Sequence, residues 1–300
     1  MKLILSLSLF FCLHAALTQE SFRYNHILIT NDDGIDDADR LLALAKSVKS
    51  VVKRVSIVVS SFDKSGTSNH TTFGKHQSTL EVTCEYQDTV NNISAYTMPG
   101  NPADCVLLGL NGLFGDDRPD LVLSGINGGA NIGPGWFGSG TIGAVRTAAF
   151  LGVKGIALSG FEDDDQRSFT LIPNWINRFI SSPLINEMDK NSYLTVGFPK
   201  SLEAIKGIKL ASRRTSLHQP ERLQFQKIHG EEFDQPENTT VWALSLQDDT
   251  NANAARDDQT YLEQGYIVIT PMSIDENHNR LMKTFSEMEK SIPAFSLEGN

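Results

Sequence analysis

Asp32 and Asp33 stand side by side at the end of an apolar run, Ile27-Leu28-Ile29-Thr30-Asn31, and Gly34 follows at once. Two adjacent carboxylates repel each other unless a cation or a shared proton relieves them. In open α/β sheets, ligands bind just beyond the carboxyl ends of the strands. Paired acids there make a hard, oxygen-rich site suited to Mg²⁺, Mn²⁺ or Ca²⁺. A polar turn capping the next helix accounts for the same residues. The pair by itself leaves both readings open.

Three later segments bear on the choice. Lys64-Ser65-Gly66-Thr67-Ser68-Asn69-His70 follows a second apolar run. Its hydroxyls and backbone N–H groups suit a phosphate or a cation's coordination shell, although composition alone favours a surface loop. Ser124-Gly125-Ile126-Asn127-Gly128-Gly129-Ala130-Asn131-Ile132-Gly133 leaves another apolar run. Asn127 offers a neutral oxygen to a cation, and the glycines let backbone approach a ligand closely. Gly138-Ser139-Gly140-Thr141 opens a small-residue stretch of helical character. A helix N-terminus presents free N–H groups and a positive dipole end to an anion, and Ser139 and Thr141 add hydroxyls. Ordinary N-capping explains one of these hydroxyls, not both with the intervening glycine.

Such residues need a scaffold that gathers them at one edge. Short apolar runs alternate with helical periodicity along the first half. Strands are expected at Ile27–Thr30, Val55–Val59, Ala95–Met98, Leu121–Ser124 and Gly155–Leu158, and helices over Arg40–Val52, Pro102 to about Asn111 and Ile142–Leu151. This order predicts an α/β chain: a Rossmann-like three-layer fold with a mostly parallel sheet. The later half is less regular. Helices are expected at Trp175–Ile180 and Leu281–Met288, and strands at Leu194–Val196, Ile208–Ala211 and Ile267–Thr270. The polar stretch 222–260 reads as a hairpin, arm or lid. Residues 19–300 are expected to form one domain, with 26–160 as its α/β half.

Apolar residues make up 40% of the 300 and charged residues 21%, enough for a substantial core. The formal net charge of -10 argues against a large nucleic-acid surface. Met1 and Lys2, the apolar stretch Leu3–Leu13 and the small residues Ala15-Ala16 read as a signal peptide over 1–18. The expectation is therefore an exported chain, periplasmic or secreted. No other segment is apolar and long enough to span a bilayer. Cys84 and Cys105 are read as two buried, unpaired thiols, with a bridge as the alternative in an oxidising compartment.

Taken together, these blocks resemble the SurE (survival protein E) family of 5'/3'-nucleotidases and acid phosphatases. The matching blocks are Asn31-Asp32-Asp33-Gly34, Ser65-Gly66-Thr67, Pro99-Gly100-Asn101-Pro102-Ala103-Asp104-Cys105-Val106, Ser124-Gly125-Ile126-Asn127 with Gly129, Asn131 and Gly133, and Ser139-Gly140-Thr141. A weaker match is Gly265 to Pro271. The blocks keep the family's order over most of residues 26–271. The resemblance implies one divalent cation per subunit, held by Asp32, Asp33, Ser65 and Asn127. It implies phosphate contacts near Asn31, Gly66, Asn131, Ser139, Gly140 and Thr141. Asp32 and Asp33 are the expected catalytic residues, with a cation-activated water as nucleophile or either aspartate as base or nucleophile. The resemblance further implies a homodimer or homotetramer with later-half segments exchanged between subunits. The chain departs from the family at Asn69, where some members carry histidine, and at Gly138, where tyrosine is usual.

The expected activity is a metal-dependent phosphomonoesterase acting on a small phosphate ester, a nucleotide in the first instance. A secreted nucleotide-binding protein with weakened catalysis is the alternative that Asn69 and Gly138 suggest. A dinucleotide-using Rossmann enzyme should carry its glycine fingerprint after the first strand, where this chain has Asp32-Asp33-Gly34.

Overall fold

The computed structural model describes residues 22–72, 79–162, 165–215, 223–228, 240–246 and 256–288. Its centre is a nine-stranded sheet in the order β3-β4-β2-β1-β5-β6-β7-β11-β8. The strands are β1 (Tyr24–Thr30), β2 (Val52–Ser60), β3 (Thr83–Asp88), β4 (Ile93–Met98), β5 (Leu121–Asn127), β6 (Lys154–Gly160), β7 (Ser192–Phe198), β8 (Gly207–Leu210) and β11 (Tyr266–Ser273). β4, β2, β1, β5, β6 and β7 run parallel. β3 and β11 run antiparallel to their neighbours β4 and β7.

Helices cover both faces, as a parallel sheet with crossover connections requires. α1 (Ala38–Val48) and α4 (Ser168–Ile180) pack together on one side. α2 (Pro102–Asn111) and α3 (Gly140–Phe150) pack on the other. Each face has its own core. Ile27, Ile29, Leu41 and Leu44 belong to one cluster, Leu28, Val106, Ile142 and Val145 to the second. Alternate residues of β1 thus feed opposite layers, the period-two rule of a strand.

Several elements differ from their expected bounds for physical reasons. The helix expected over Arg40–Val52 ends at Val48 and turns tightly through Lys49–Val51. Val52 pairs with Tyr24 and opens β2, so ladder pairing overrides helical continuation at a β-branched residue. β3 had no periodic signal because it is an exposed edge strand. The stretch 222–260 contains β9 (Leu223–Ile228) and β10 (Val241–Leu246), an antiparallel pair outside the main sheet, and α5 (Asp258–Glu263). Phe225, Trp242 and Leu244 of that pair are exposed. Leu281–Met288 appears as α6 (Asn279–Glu287). Cys105 is buried and free, whereas Cys84 is free but exposed on the edge strand, so the expectation of two buried thiols holds for Cys105 only.

Candidate active site

β1 lies between β2 and β5. The chain leaves β1 for one side of the sheet and resumes at β5 on the other, which makes the β1/β5 boundary a topological switch point. Crevices outside the strand ends at such points are the usual ligand sites of open α/β sheets. Thr30 pairs with Ser124 across this boundary, so Asp32 and the Asn127 loop leave neighbouring strands at the same edge.

The turn after β1 is locked from within. The Asn31 side chain donates to the Gly34 carbonyl at 3.0 Å and accepts from the Gly34 N–H at 3.1 Å. Asn31, expected near the phosphate, is fully buried and uses both ends of its amide to close this turn. Asp32 is buried too. Its carboxylate accepts the Thr141 hydroxyl at 2.6 Å on Oδ1 and the Thr141 N–H at 3.1 Å on Oδ2. A Cβ on Gly140 would lie 2.9 Å from the Asp32 Cβ and 3.2 Å from Pro102 Cγ. The helix start therefore has to be glycine for α3 to dock onto Asp32.

Burial raises the pKa of Asp32 against the opposing hydrogen bonds from Thr141. Asp33 is pushed up to about 7, by burial first and then by the Asp32 charge. Its Oδ2 is buried with no hydrogen-bond partner among the described residues. Asp37 is raised to about 6, again by burial, with Arg40 opposing. An acidic pair this desolvated, with an unpartnered oxygen, fits a hard cation. Among the described residues there is no group of three or more His, Cys, Asp or Glu side chains able to hold a metal. Any cation here would rest on two carboxylates plus neutral oxygens, which suits Mg²⁺, Mn²⁺ or Ca²⁺ better than a softer ion.

Asn127, expected from the sequence as a neutral ligand, carries an amide oxygen at the end of β5. Its Nδ2 donates to the Gly129 carbonyl at 2.8 Å, which leaves Oδ1 free of that contact. A bulge puts it there. Ser124 pairs with Ala157 and Asn127 with Ser159, three steps on β5 against two on β6. Gly125 makes the bulge possible: its φ is +113°, and a Cβ would meet the Leu158 carbonyl oxygen at 2.1 Å. The Gly125–Ile126 peptide is cis. Further along, the Asn131 N–H donates to Ser159 Oγ at 3.1 Å, and its Nδ2 is buried without a partner among the described residues.

The loop after β2 closes over the acids. The Lys64 N–H donates to the Asp32 carbonyl at 2.7 Å. Ser65 is exposed, and its N–H and hydroxyl serve Asp63 and hold that carboxyl below its ordinary range. Gly66 is exposed with φ +79°. Asn69, at the position of the family's histidine, clamps the loop onto α3. It donates to the Gly143 carbonyl at 2.9 Å and to Thr147 Oγ1 at 3.1 Å, and accepts from Arg146 at 2.7 Å. His70 is exposed.

The donors expected to form an oxyanion seat are partly spent within the protein. Ser139 is an N-cap: its Oγ accepts the Ile142 N–H at 3.1 Å, and its own hydroxyl proton remains to be given. Thr141 spends both donors on Asp32. Capping and second-residue support thus explain both hydroxyls, contrary to the argument from sequence. The Gly140 N–H is the first-turn donor left without a partner among the described residues.

A family model described as Survival protein SurE matches residues 27–219. The chain is 32% identical over 271 residues to the 5'-nucleotidase SurE of Campylobacter lari, covering 88% of this chain and 98% of that protein. It is 30% identical over 270 residues to 5'-nucleotidase SurE 1 of Burkholderia lata, covering 86% and 94%. The chain belongs to the SurE family. The crystal structure of the SurE protein from Aquifex aeolicus matches with a TM-score of 0.67 and 26% identity, over 88% of this chain and 99% of that one.

SurE-family members are metal-dependent enzymes, in keeping with the cation that the acids call for. They are typically cytoplasmic, which overturns the expectation of an exported, periplasmic or secreted chain. Residues 1–18 lie outside the described residues. Among the described residues no helix is long and apolar enough to cross a membrane.

Two groups escaped the sequence reading. Arg40, in the first turn of α1, pulls down the pKa of both Asp33 and Asp37, and its NH1 would lie 3.1 Å from a Cβ on Gly128. Arg213 is buried after β8, donating to the Asn131 carbonyl at 2.8 Å, to Asp258 at 2.6 Å and to Thr195 at 2.5 Å. Arg214 pairs with Asp257 at 2.7 Å. The matched doublets Arg213-Arg214 and Asp257-Asp258 were the available signal, but sequence does not say that they meet.

Proposed function

We propose that this SurE-family chain is a divalent-metal-dependent 5'-nucleotidase, converting a nucleoside monophosphate and water to a nucleoside and inorganic phosphate. The observation that carries the reading is the grip of Thr141 on Asp32, which fixes an acidic pair against the N-terminus of α3. The curated relatives named 5'-nucleotidase SurE, similar over nearly their whole length, support the substrate class.

Asp32, Asp33, Ser65 and Asn127 hold one cation per subunit. When bound, that cation offsets phosphate charge and makes water more acidic. The rest is the chain's own work. Ser139 Oγ–H, the Gly140 N–H and the α3 dipole receive the phosphate oxygens as charge builds on them. Asn131 Nδ2 and the Gly66 backbone are the further donors. Both Asp32 oxygens are engaged by Thr141, so Asp32 is the fixed member of the pair. Asp33 keeps an unpartnered oxygen and takes the proton of the attacking water. The water oxygen bonds to phosphorus, the ester P–O bond breaks, and the nucleoside oxygen leaves with a proton from solvent, to which Asp33 releases the one it took. Assembly as a homodimer or homotetramer is supported by the exposed Phe225, Trp242 and Leu244 of the β9–β10 pair.

Phosphate release from a panel of nucleoside monophosphates, with Mn²⁺ or Mg²⁺ and with or without chelator, tests the reading. Release that stops with chelator and with Asp32→Asn is expected. Release indifferent to both would show that the acids are not the site.

A further inference from the structure

We propose that the cleft between the 129–133 loop and α5 receives the nucleoside of the substrate. This inference rests on the nucleotidase reading and assigns the part of the molecule that recognises the leaving group.

The cleft is about 560 Å³ and opens beyond the carboxyl ends of β6 and β7. Its walls include Ala130, Ile132, Gly160, Phe198 and Leu262. That volume lies within the roughly 300–1,000 Å³ usual for small-molecule pockets, and such pockets are mostly apolar with a few polar groups. Ile132, Phe198 and Leu262 supply an apolar floor for a planar base. Gly197 lets two of these side chains settle onto β7 beneath the cleft: a Cβ there would lie 3.2 Å from Leu262 and 3.6 Å from Ile132. Polar groups stand at the rim, where Lys200 and Glu162 pair at 3.3 Å with both side chains well exposed. A rim ion pair so open to solvent is worth little by itself and is free to exchange for ribose hydroxyls or base edges.

The cleft shares a wall with the phosphate site. Ala130 and Ile132 flank Asn131, and the Gly160 N–H donates to the Gly129 carbonyl at 3.1 Å. Asn127 pairs with Ser159, the residue before Gly160. The cation-facing and cleft-facing residues therefore belong to one short loop. Arg213 ties the two walls together, since one guanidinium nitrogen reaches both the Asn131 carbonyl and the Asp258 carboxylate of α5. A cleft held open in this way loses less entropy on binding.

The test compares kcat/KM for nucleoside monophosphates with kcat/KM for glycerol 2-phosphate, which has no base. Ala130→Phe fills the cleft and should lower the nucleotide-to-glycerol-phosphate ratio by at least about tenfold, mainly through KM. Leu262→Ala widens it and should lower the same ratio by a few-fold; it carries the test if Ala130→Phe fails to fold. A ratio unchanged in the folded variants would overturn the assignment. If the unmutated protein hydrolyses neither ester, the nucleotidase reading fails on its own. Calorimetric titration with adenosine then decides the cleft, with binding lost in Ala130→Phe expected and no binding to the unmutated protein refuting it.

Discussion

Thr141 holds Asp32 with both of its donors, the hydroxyl at 2.6 Å and the backbone N–H at 3.1 Å, one on each carboxylate oxygen. A single residue at the start of α3 therefore sets the orientation of an acid at the end of β1. Groups that orient a metal's ligands commonly cost 10–100-fold in affinity or activity when removed. Thr141→Val keeps the shape and the N–H but leaves Asp32 Oδ1 unpaired. It should lower kcat by about 10–100-fold and stability by about 1–3 kcal/mol. Thr141→Ser should recover most of both. Steady-state kinetics and urea denaturation of the two variants check this, and a loss in the serine variant with none in the valine variant would point to packing of the methyl group instead.

Asp33 gives the cation-free protein a pH dependence. The folded chain holds its proton up to about pH 7, against an ordinary 3.8. Between those values the native state binds more protons than the unfolded state, so stability falls as pH rises. The Tm of chelated protein should decline through this window and level off above it. Asp33→Asn should flatten the slope. Added Mn²⁺ should raise Tm more at about pH 8 than at about pH 5, because the cation binds the ionised pair. Calorimetric scans across pH measure each slope.

The contact of the Ser65 loop with α3 is tight enough to test with one methyl group. A Cβ on Gly143 would lie 1.9 Å from the Ser68 carbonyl oxygen. Alanine ordinarily improves a helix by about 1 kcal/mol over glycine, yet Gly143→Ala should destabilise by about 1–3 kcal/mol. By shifting the loop it should also weaken Mn²⁺ binding. Gly66→Ala meets no atom within 4 Å and carries only the strain of φ +79°. Its cost should be about 1–2 kcal/mol. Mn²⁺ titration beside thermal melting separates the loop effect from the backbone effect.

Asn127 is oriented by its own loop, its amide nitrogen held 2.8 Å from the Gly129 carbonyl. Asn127→Ala should lower Mn²⁺ affinity by about 10–100-fold. Asn127→Asp replaces the donor with an acceptor facing the Gly129 carbonyl and should be no better despite the added charge. Calorimetric Mn²⁺ titration of the three proteins ranks them, and a gain in the aspartate variant would contradict the orientation described above.

What could be read without coordinates was local. Val55–Val59 and Leu121–Ser124 announce buried strands because β-branched and aliphatic runs of that length have little else to do in water. Leu41, Leu44, Ala45 and Val48 announce a helix face by their spacing, and all four are buried. Asp32-Asp33-Gly34 announces charge at a strand end. The order of these signals was enough for a mostly parallel α/β sheet, while the switch point beside β1 needed the strand order of the fold. The start of β2 at Val52 was misplaced because pairing with Tyr24 is a contact between distant residues.

The site itself was assembled by the tertiary structure. Chemistry in the sequence named Ser139 and Thr141 as hydroxyl donors, but only packing decided that one caps its own helix and the other serves Asp32. Arg213 meets Asn131, 82 residues away along the chain, and no periodicity encodes such a meeting. The residue types and their spacing determined which oxygens and N–H groups the chain owns. The fold determined which of them remain unspent, because a buried donor satisfied inside the protein has nothing left to offer a ligand.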